Sequence, residues 1–366
     1  MKIQSIECIV LRIPYTTGGS KETGAWGGRA WTTADALLVK VTTDGGLIGW
    51  GEAFGYNAIP ATRAAIEHMI APMCIGRSAL DVEALMTELH AKLHIFGRGG
   101  PVIYGMSGVD IALWDIAGKA AGLPVARLLG GRRAERLPAY ASLIRYAEPA
   151  LVARNVERAI EEGFRHIKLH EIEVEPTRAA REAVGPSVPI MLDVNCPWSV
   201  QEALRMARRL EPLELLWLEE PVWPPENIAG LAEVRAAGGI AIASGENLAT
   251  LAQYQQLLES GAVDYVQPSP TKMGGVSELA RVFTLARAHN VSVMPHSFYD
   301  GPGLLAAVHV NAALGRDSLV EWRYFDLEAR LYGERMVPRE GFIEVPEGPG
   351  LGFDPDPGVV ARYRTD

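Results

Sequence analysis

Three carboxylates recur at nearly one interval in the second half of the chain: Asp193, Glu219 and Glu246 stand 26 and 27 residues apart. Lys168 precedes Asp193 by 25 residues, His296 follows Ser269 by 27, and Glu321 follows His296 by 25. Most of these residues close a short apolar run, so the interval is that of a repeating strand and helix. Acidic groups gathered at one end of such repeats repel one another if left bare. A hard divalent cation resolves the repulsion, and oxygen-only ligands select Mg²⁺, with Mn²⁺ as a substitute, over zinc. One acidic residue after a strand is more often a helix cap or a surface charge. Three in register, flanked by Lys168, His170 and His296, favour a metal site.

The chemistry such a site suits is removal of the proton beside a carboxylate. The resulting ene-diolate carries two negative charges on oxygen, which a cation and a nearby lysine stabilise while a base takes the proton.

The elements that must position these groups are legible as eight apolar runs: 137–144, 166–170, 188–195, 215–221, 240–246, 263–270, 291–297 and 319–322. Amphipathic segments separate them. Ser199 with Glu202, and Thr250 with Gln253, fit helix N-caps, while Gly163, Gly238 and Gly261 sit where C-terminal caps belong. Continuous apolar strands alternating with helices predict a parallel sheet covered on both faces, and eight such units predict a closed (β/α) barrel whose strand ends share one mouth. An open doubly wound sheet is the alternative, but it wants a glycine-rich phosphate loop after its first strand, and none is present.

Residues 1–130 have another rhythm. Runs 3–14 and 36–51 alternate like antiparallel strands, Asp44-Gly45-Gly46 supplies a hairpin turn, and helices follow near 60–73, 81–94 and 103–121. The expected organisation is an α+β capping domain over 1–130, a barrel over 131–330, and a segment 331–366 returning to the cap. Residues 16–31 read as a solvated loop, with substrate contact from Trp26, Arg29 and the adjacent Tyr15 as the alternative reading.

With a formal net charge of −9 and no basic run, the chain lacks the concentrated positive surface that nucleic acid requires. Its three cysteines, Cys8, Cys74 and Cys196, form no CxxC pair, which predicts neither a disulfide framework nor a thiolate zinc site. No run approaches the ~20 apolar residues that span a bilayer. A cytoplasmic protein without membrane partners is expected.

The sequence also resembles the enolase superfamily, specifically its mandelate racemase/muconate lactonizing enzyme branch. SGVDIALWDIAGKAAGLPVARLLGG (107–131), WLEEP (217–221), DVN (193–195) and SGEN (244–247) carry the resemblance. It implies a modified (β/α)7β barrel under a cap, Asp193, Glu219 and Glu246 as metal ligands, a small carboxylate substrate and a homo-oligomer. It implies Glu321 as a protonated group that hydrogen-bonds the substrate carboxylate, and Lys272 as a basic residue after the sixth strand. Two departures stand out. Lys168-Leu169-His170 replaces the family's Lys-x-Lys, putting His170 at the base position and Lys168 where it would steady the substrate carboxylate. Ser269 in VQPSP replaces an Asp that orients the seventh-strand histidine, which suits His296 to acid work; spacing leaves open whether Asp300 stands in. Asn195 shares a strand face with Asp193 and is a further candidate.

Dehydration of an acid sugar to a 2-keto-3-deoxy acid is therefore the expected reaction. A racemase or epimerase is the alternative within the class. Outside it stand a metal-independent glycoside hydrolase with paired carboxylates and a carboxylate-binding protein without catalysis.

Overall fold

The computed structural model describes residues 1–19, 25–26 and 29–365. Strands Ile3–Thr16, Thr33–Thr43 and Ile48–Ala53 form an antiparallel sheet, with Leu11 opposite Ala36 and Val39 opposite Gly51. The turn expected at Asp44-Gly45-Gly46 closes with Gly46 N donating to Thr43 O at 2.9 Å, and Gly46 takes the positive φ of 80° that glycine permits. Alternation buries Leu37, Val39 and Val41 against the helix Pro101–Ala121, which starts on a proline and stops at Gly122 in the left-handed conformation. The sheet lies unusually close to that helix. A Cβ on Gly51 would sit 1.8 Å from Gly108 O, and one on Gly49 would sit 2.2 Å from Ala112 O.

Eight parallel strands follow: Arg136–Ser142, Ile167–Leu169, Ile190–Asp193, Trp217–Glu219, Ile242–Ser244, Tyr265–Val266, Ser292–Val293 and Val320–Arg323. They pair in chain order from first to seventh, and the eighth pairs with the first, with Glu321 opposite Tyr140. The seventh and eighth strands share no ladder among the described residues. Side chains join them instead, since Ser297 N donates to Glu321 Oε2 and Ser297 Oγ to Glu321 O, both at 2.9 Å. With a helix between each pair of strands this is a (β/α)7β barrel. Alternation along each strand fixes what points inward. Tyr140, Met191, Trp217, Ala243 and Met294 fill the interior, so Asp193 and Glu219, two residues beyond Met191 and Trp217, point into the mouth.

The predicted helix starts are present: Ser199 Oγ accepts from Glu202 N, and Thr250 and Gln253 form a reciprocal capping box. Gly163 and Gly261 have positive φ, whereas Gly238 stays right-handed at φ −86°. The left-handed residue after that helix is Gly239, one position later than expected. Residues beyond the eighth strand return to the sheet. Asp326–Leu327 pairs with Tyr15–Thr16, Phe342–Glu344 pairs with the first barrel strand, and Thr365 N donates to Val10 O at 3.0 Å after the helix Pro357–Tyr363.

Two carboxylates of the N-terminal region reach into the barrel. Asp110 accepts from Ser277 N at 3.1 Å, and Glu52 accepts from Gly303 N at 2.9 Å. Burial pushes Glu52 up to about 7, with the Gly303 N–H opposing the rise.

Two outcomes follow from this packing. Gly51→Ala should lower the unfolding free energy by roughly 2–4 kcal/mol, because backbone rather than a flexible side chain blocks the added carbon; an unchanged denaturation midpoint would contradict the close approach. For Glu52 the folded-state value lies above its ordinary 4.5. Stability should therefore be fullest below about 4.5 and fall as pH climbs towards about 7. Glu52→Gln keeps the acceptor for Gly303 and removes this slope. In urea titrations its advantage over the parent should be near zero at low pH and grow across that window, reaching ~2–3 kcal/mol; a gap that does not vary with pH would refute the burial argument.

Candidate metal centre and active site

Asp193 ends the third barrel strand, Glu219 ends the fourth, and Glu246 stands two residues beyond the fifth. Ladder register places Asp193 directly opposite Glu219. One carboxylate oxygen from each of the three lies within 4.8 Å of the others, and all three side chains are buried. Lys168 Nζ, on the second strand, lies 3.3 Å from Asp193 Oδ2, 2.9 Å from Glu219 Oε1 and 2.8 Å from Glu321 Oε1. Burial alone would raise Asp193, but the adjacent Lys168 and His170 hold it well below the usual carboxylate range. Burial and the Asp193 charge push Glu219 well above it. Against burial, His296 and Lys272 draw Glu246 down to about 2. The cluster thus has an all-oxygen donor set, and with Glu321 it sets four buried carboxylates against the two lysines Lys168 and Lys272. That is the chemistry of a site for a hard divalent cation.

The two histidines flank this cluster. His170 Nε2 lies 3.2 Å from Asp193 Oδ2, and its Nδ1 meets the carbonyl oxygen of Leu143. His296 Nε2 lies 3.3 Å from Glu246 Oε2, and its Nδ1 lies 3.2 Å from Ser269 Oγ and 3.3 Å from the Tyr299 hydroxyl. Burial lowers His296 despite the carboxylates of Glu246 and Glu321 nearby.

The other predicted residues take distinct places around this cluster. Lys168 is 1% exposed and spends its ammonium on three carboxylates beneath the cavity rather than lining it. Although burial opposes it, Lys168 and His296 hold Glu321 below the ordinary range, and its carboxylate accepts from Ser142 Oγ and Ser297 N. Asp300 does not stand in for the missing aspartate, because it pairs with Arg323 instead. Tyr299, one residue before it, takes the place beside His296. Asn195 lines the cavity, and Lys272 reaches Glu246 Oε1 at 3.2 Å and Asn247 Oδ1 at 3.1 Å.

The cavity over the cluster measures about 480 Å³. Its walls are aromatic: Tyr15 stacks on Phe325 at 4.1 Å, Trp31 on Tyr56 at 4.9 Å, and Phe298 meets Phe325 edge to face at 5.5 Å. Of the predicted loop contacts Tyr15 is present, while the side chains of Trp26 and Arg29 lie outside the described residues. Sequence reasoning passed over Arg145 and Glu220, which also face the cavity. Strand alternation should turn Glu220 away from Glu219, but its φ of 47° breaks the alternation and brings it to Asn247 Nδ2 at 3.0 Å.

With fold and site in view, comparison with known proteins defines the class. Residues 28–130 match the mandelate racemase/muconate lactonizing enzyme N-terminal domain, and residues 151–359 match the enolase C-terminal domain-like family. The chain belongs to the mandelate racemase/muconate lactonizing enzyme family of the enolase superfamily. It is 32% identical over 348 residues to a D-galactarolactone cycloisomerase of Agrobacterium fabrum, covering 90% of this chain and 91% of that protein. It is 32% identical over 346 residues to an arabinonate dehydratase of Saccharolobus solfataricus, with the same two coverages. Among solved structures, a racemase from Streptomyces coelicolor with bound magnesium superposes with a TM-score of 0.87 at 28% identity, covering 99% of this chain and all of that one.

A cation held by the triad stabilises the folded state by mass action, by about 2.7 kcal/mol at a hundredfold excess over Kd. Mg²⁺ should therefore raise the melting temperature of chelator-treated protein and should not raise that of Glu219→Gln. Equal response of both proteins would show that the triad is not where the ion binds.

Proposed function

We propose that this protein is a divalent-metal-dependent lyase that removes the proton α to the carboxylate of an acid sugar and expels the β-hydroxyl, giving a 2-keto-3-deoxy acid. The observation that carries it is two histidines on opposite flanks of a buried three-carboxylate cluster, both open to one cavity. The relatives named as acid-sugar dehydratases and cycloisomerases support the substrate class.

When bound, the cation supplies Lewis-acid stabilisation of charge on the substrate carboxylate. His170 Nε2 takes the proton from Cα, and the electron pair of that bond moves towards the carboxylate. Lys168 holds a fixed positive charge beneath the cluster and favours the doubly charged ene-diolate. The bond from Cβ to its hydroxyl then breaks, and protonated His296 gives its Nε2 hydrogen to the departing oxygen, which leaves as water. The enol that remains becomes the 2-keto acid. Tyr15, Trp31 and Phe298 limit water around the reacting carbons.

Magnesium is the proposed ion, supported by the all-oxygen donor set. Cys8, Cys74 and Cys196 form no disulfide with one another, which suits a reducing cytoplasm. Among the described residues no helix is long and apolar enough to cross a membrane. A homo-oligomer belongs to the same proposal, on family resemblance alone.

An aldonate and aldarate library assayed with Mg²⁺ for 2-keto acid should reveal a substrate, with product abolished by chelator. His170→Asn should lower kcat by roughly 10²–10⁴ and abolish deuterium uptake at Cα in D₂O. Uptake with inversion and no keto product in the parent enzyme would replace the lyase with a racemase.

A further inference from the structure

Besides its histidines, the cavity is lined by five charged side chains: Asp193, Glu220, Glu246, Lys272 and Arg145. The three carboxylates belong to the third, fourth and fifth strands and the residues just beyond them. Lys272 is matched to that side, since it reaches Glu246 Oε1 at 3.2 Å and Asn247 Oδ1 at 3.1 Å. Arg145 stands apart. It lies three residues beyond the first strand, Arg136–Ser142, and is half-buried. Among the described residues its guanidinium has one hydrogen-bond partner, the carbonyl oxygen of His170, which accepts from Nε at 2.8 Å.

The loop that carries Arg145 is held from both sides. Tyr146 N donates to Glu171 Oε1 at 2.7 Å, and Ala147 N donates to Glu171 Oε2 at 3.1 Å. The Glu171 carboxylate is 1% exposed and is occupied by these backbone donors rather than by an ion pair with its neighbour Arg145. Tyr146 OH donates to Thr17 O at 2.6 Å and ties the loop to the first strand of the cap. With Nε spent on His170, the end of the guanidinium keeps two parallel N–H groups for an outside acceptor. That fork matches a carboxylate in bidentate geometry.

We propose that Arg145 is a specificity-determining residue that grips a second carboxylate at the far end of the substrate, so the site selects aldarates, acid sugars with a carboxylate at each end, over aldonates. The proposal rests on the lyase reading for which end reacts, and it adds what holds the other. Strands in a sheet lie about 4.8 Å apart, so the loop after the first strand is roughly 10 Å along the sheet from Asp193 on the third. An acid sugar with both ends charged bridges a gap of that order. Charge fixes its direction, because Glu220 and Glu246 repel a free carboxylate from the far side while Arg145 attracts it.

Matched pairs made from one sugar test this: galactarate with galactonate, and glucarate with gluconate, extended across the library. Each pair differs only in a carboxylate replacing a terminal CH₂OH. Titration calorimetry on Mg²⁺-loaded protein, with His170→Asn used where a sugar turns over, should show the aldarate of at least one pair binding roughly 10- to 100-fold more tightly. Arg145→Gln should bring that ratio close to one. Arg145→Lys, which keeps the charge but loses the fork, should retain a preference of only a few fold. Equal binding within every pair, binding by no aldarate, or a ratio untouched by Arg145→Gln overturns the proposal, whether or not keto acid forms. Arg145-dependent binding of aldarates with no keto acid produced sinks only the lyase assignment. If neither variant folds, the ratio measured on the parent protein decides alone.

Discussion

Asp193, Glu219 and Glu246 stand within 4.8 Å of one another where little water reaches, and like charges repel there far more strongly than in bulk solvent. Lys168 balances part of that charge and Glu321 adds to it. The barrel can hold such a cluster because Asp193 and Glu219 ride on strands anchored by inward-facing Met191 and Trp217, while Glu246 follows the strand that carries inward-facing Ala243. Trp217 also donates its indole N–H to Glu219 Oε2 at 2.9 Å, fixing the central carboxylate from below. A rigid floor and an excess of negative charge are what a cation site of defined geometry requires.

How much of this was legible depended on whether backbone period or side-chain contact was at issue. The 25–27 residue spacing is the barrel's own repeat, so strand order, the triad and both histidines could be placed from sequence. Lys168 and Glu321 were found, but spacing cannot tell that each is the other's partner at 2.8 Å. Tyr299 was missed for a similar reason. It lies three residues past His296, outside any strand, and only the fold of that loop returns its hydroxyl to Nδ1. Glu220 was hidden by a positive φ that no alternation rule anticipates. At Gly238 and Gly239, two adjacent glycines left the sequence unable to choose which one caps the helix.

The N-terminal region is joined to the barrel by buried polar contacts as well as by apolar packing. Glu52 grips Gly303, Asp110 grips Ser277, and Trp31, Phe54 and Tyr56 complete the cavity wall above the carboxylates. The same arrangement that seals the site therefore ties its wall to the loops carrying Ser269, His296 and Tyr299.

The most direct measurement of the central claim is anomalous diffraction from crystals soaked in Mn²⁺ as a heavy stand-in for Mg²⁺. The account predicts one strong peak at the barrel mouth, about 2.0–2.3 Å from an oxygen of each of Asp193, Glu219 and Glu246. A mouth without a peak, or a peak bound elsewhere while the three carboxylates turn apart, would contradict it.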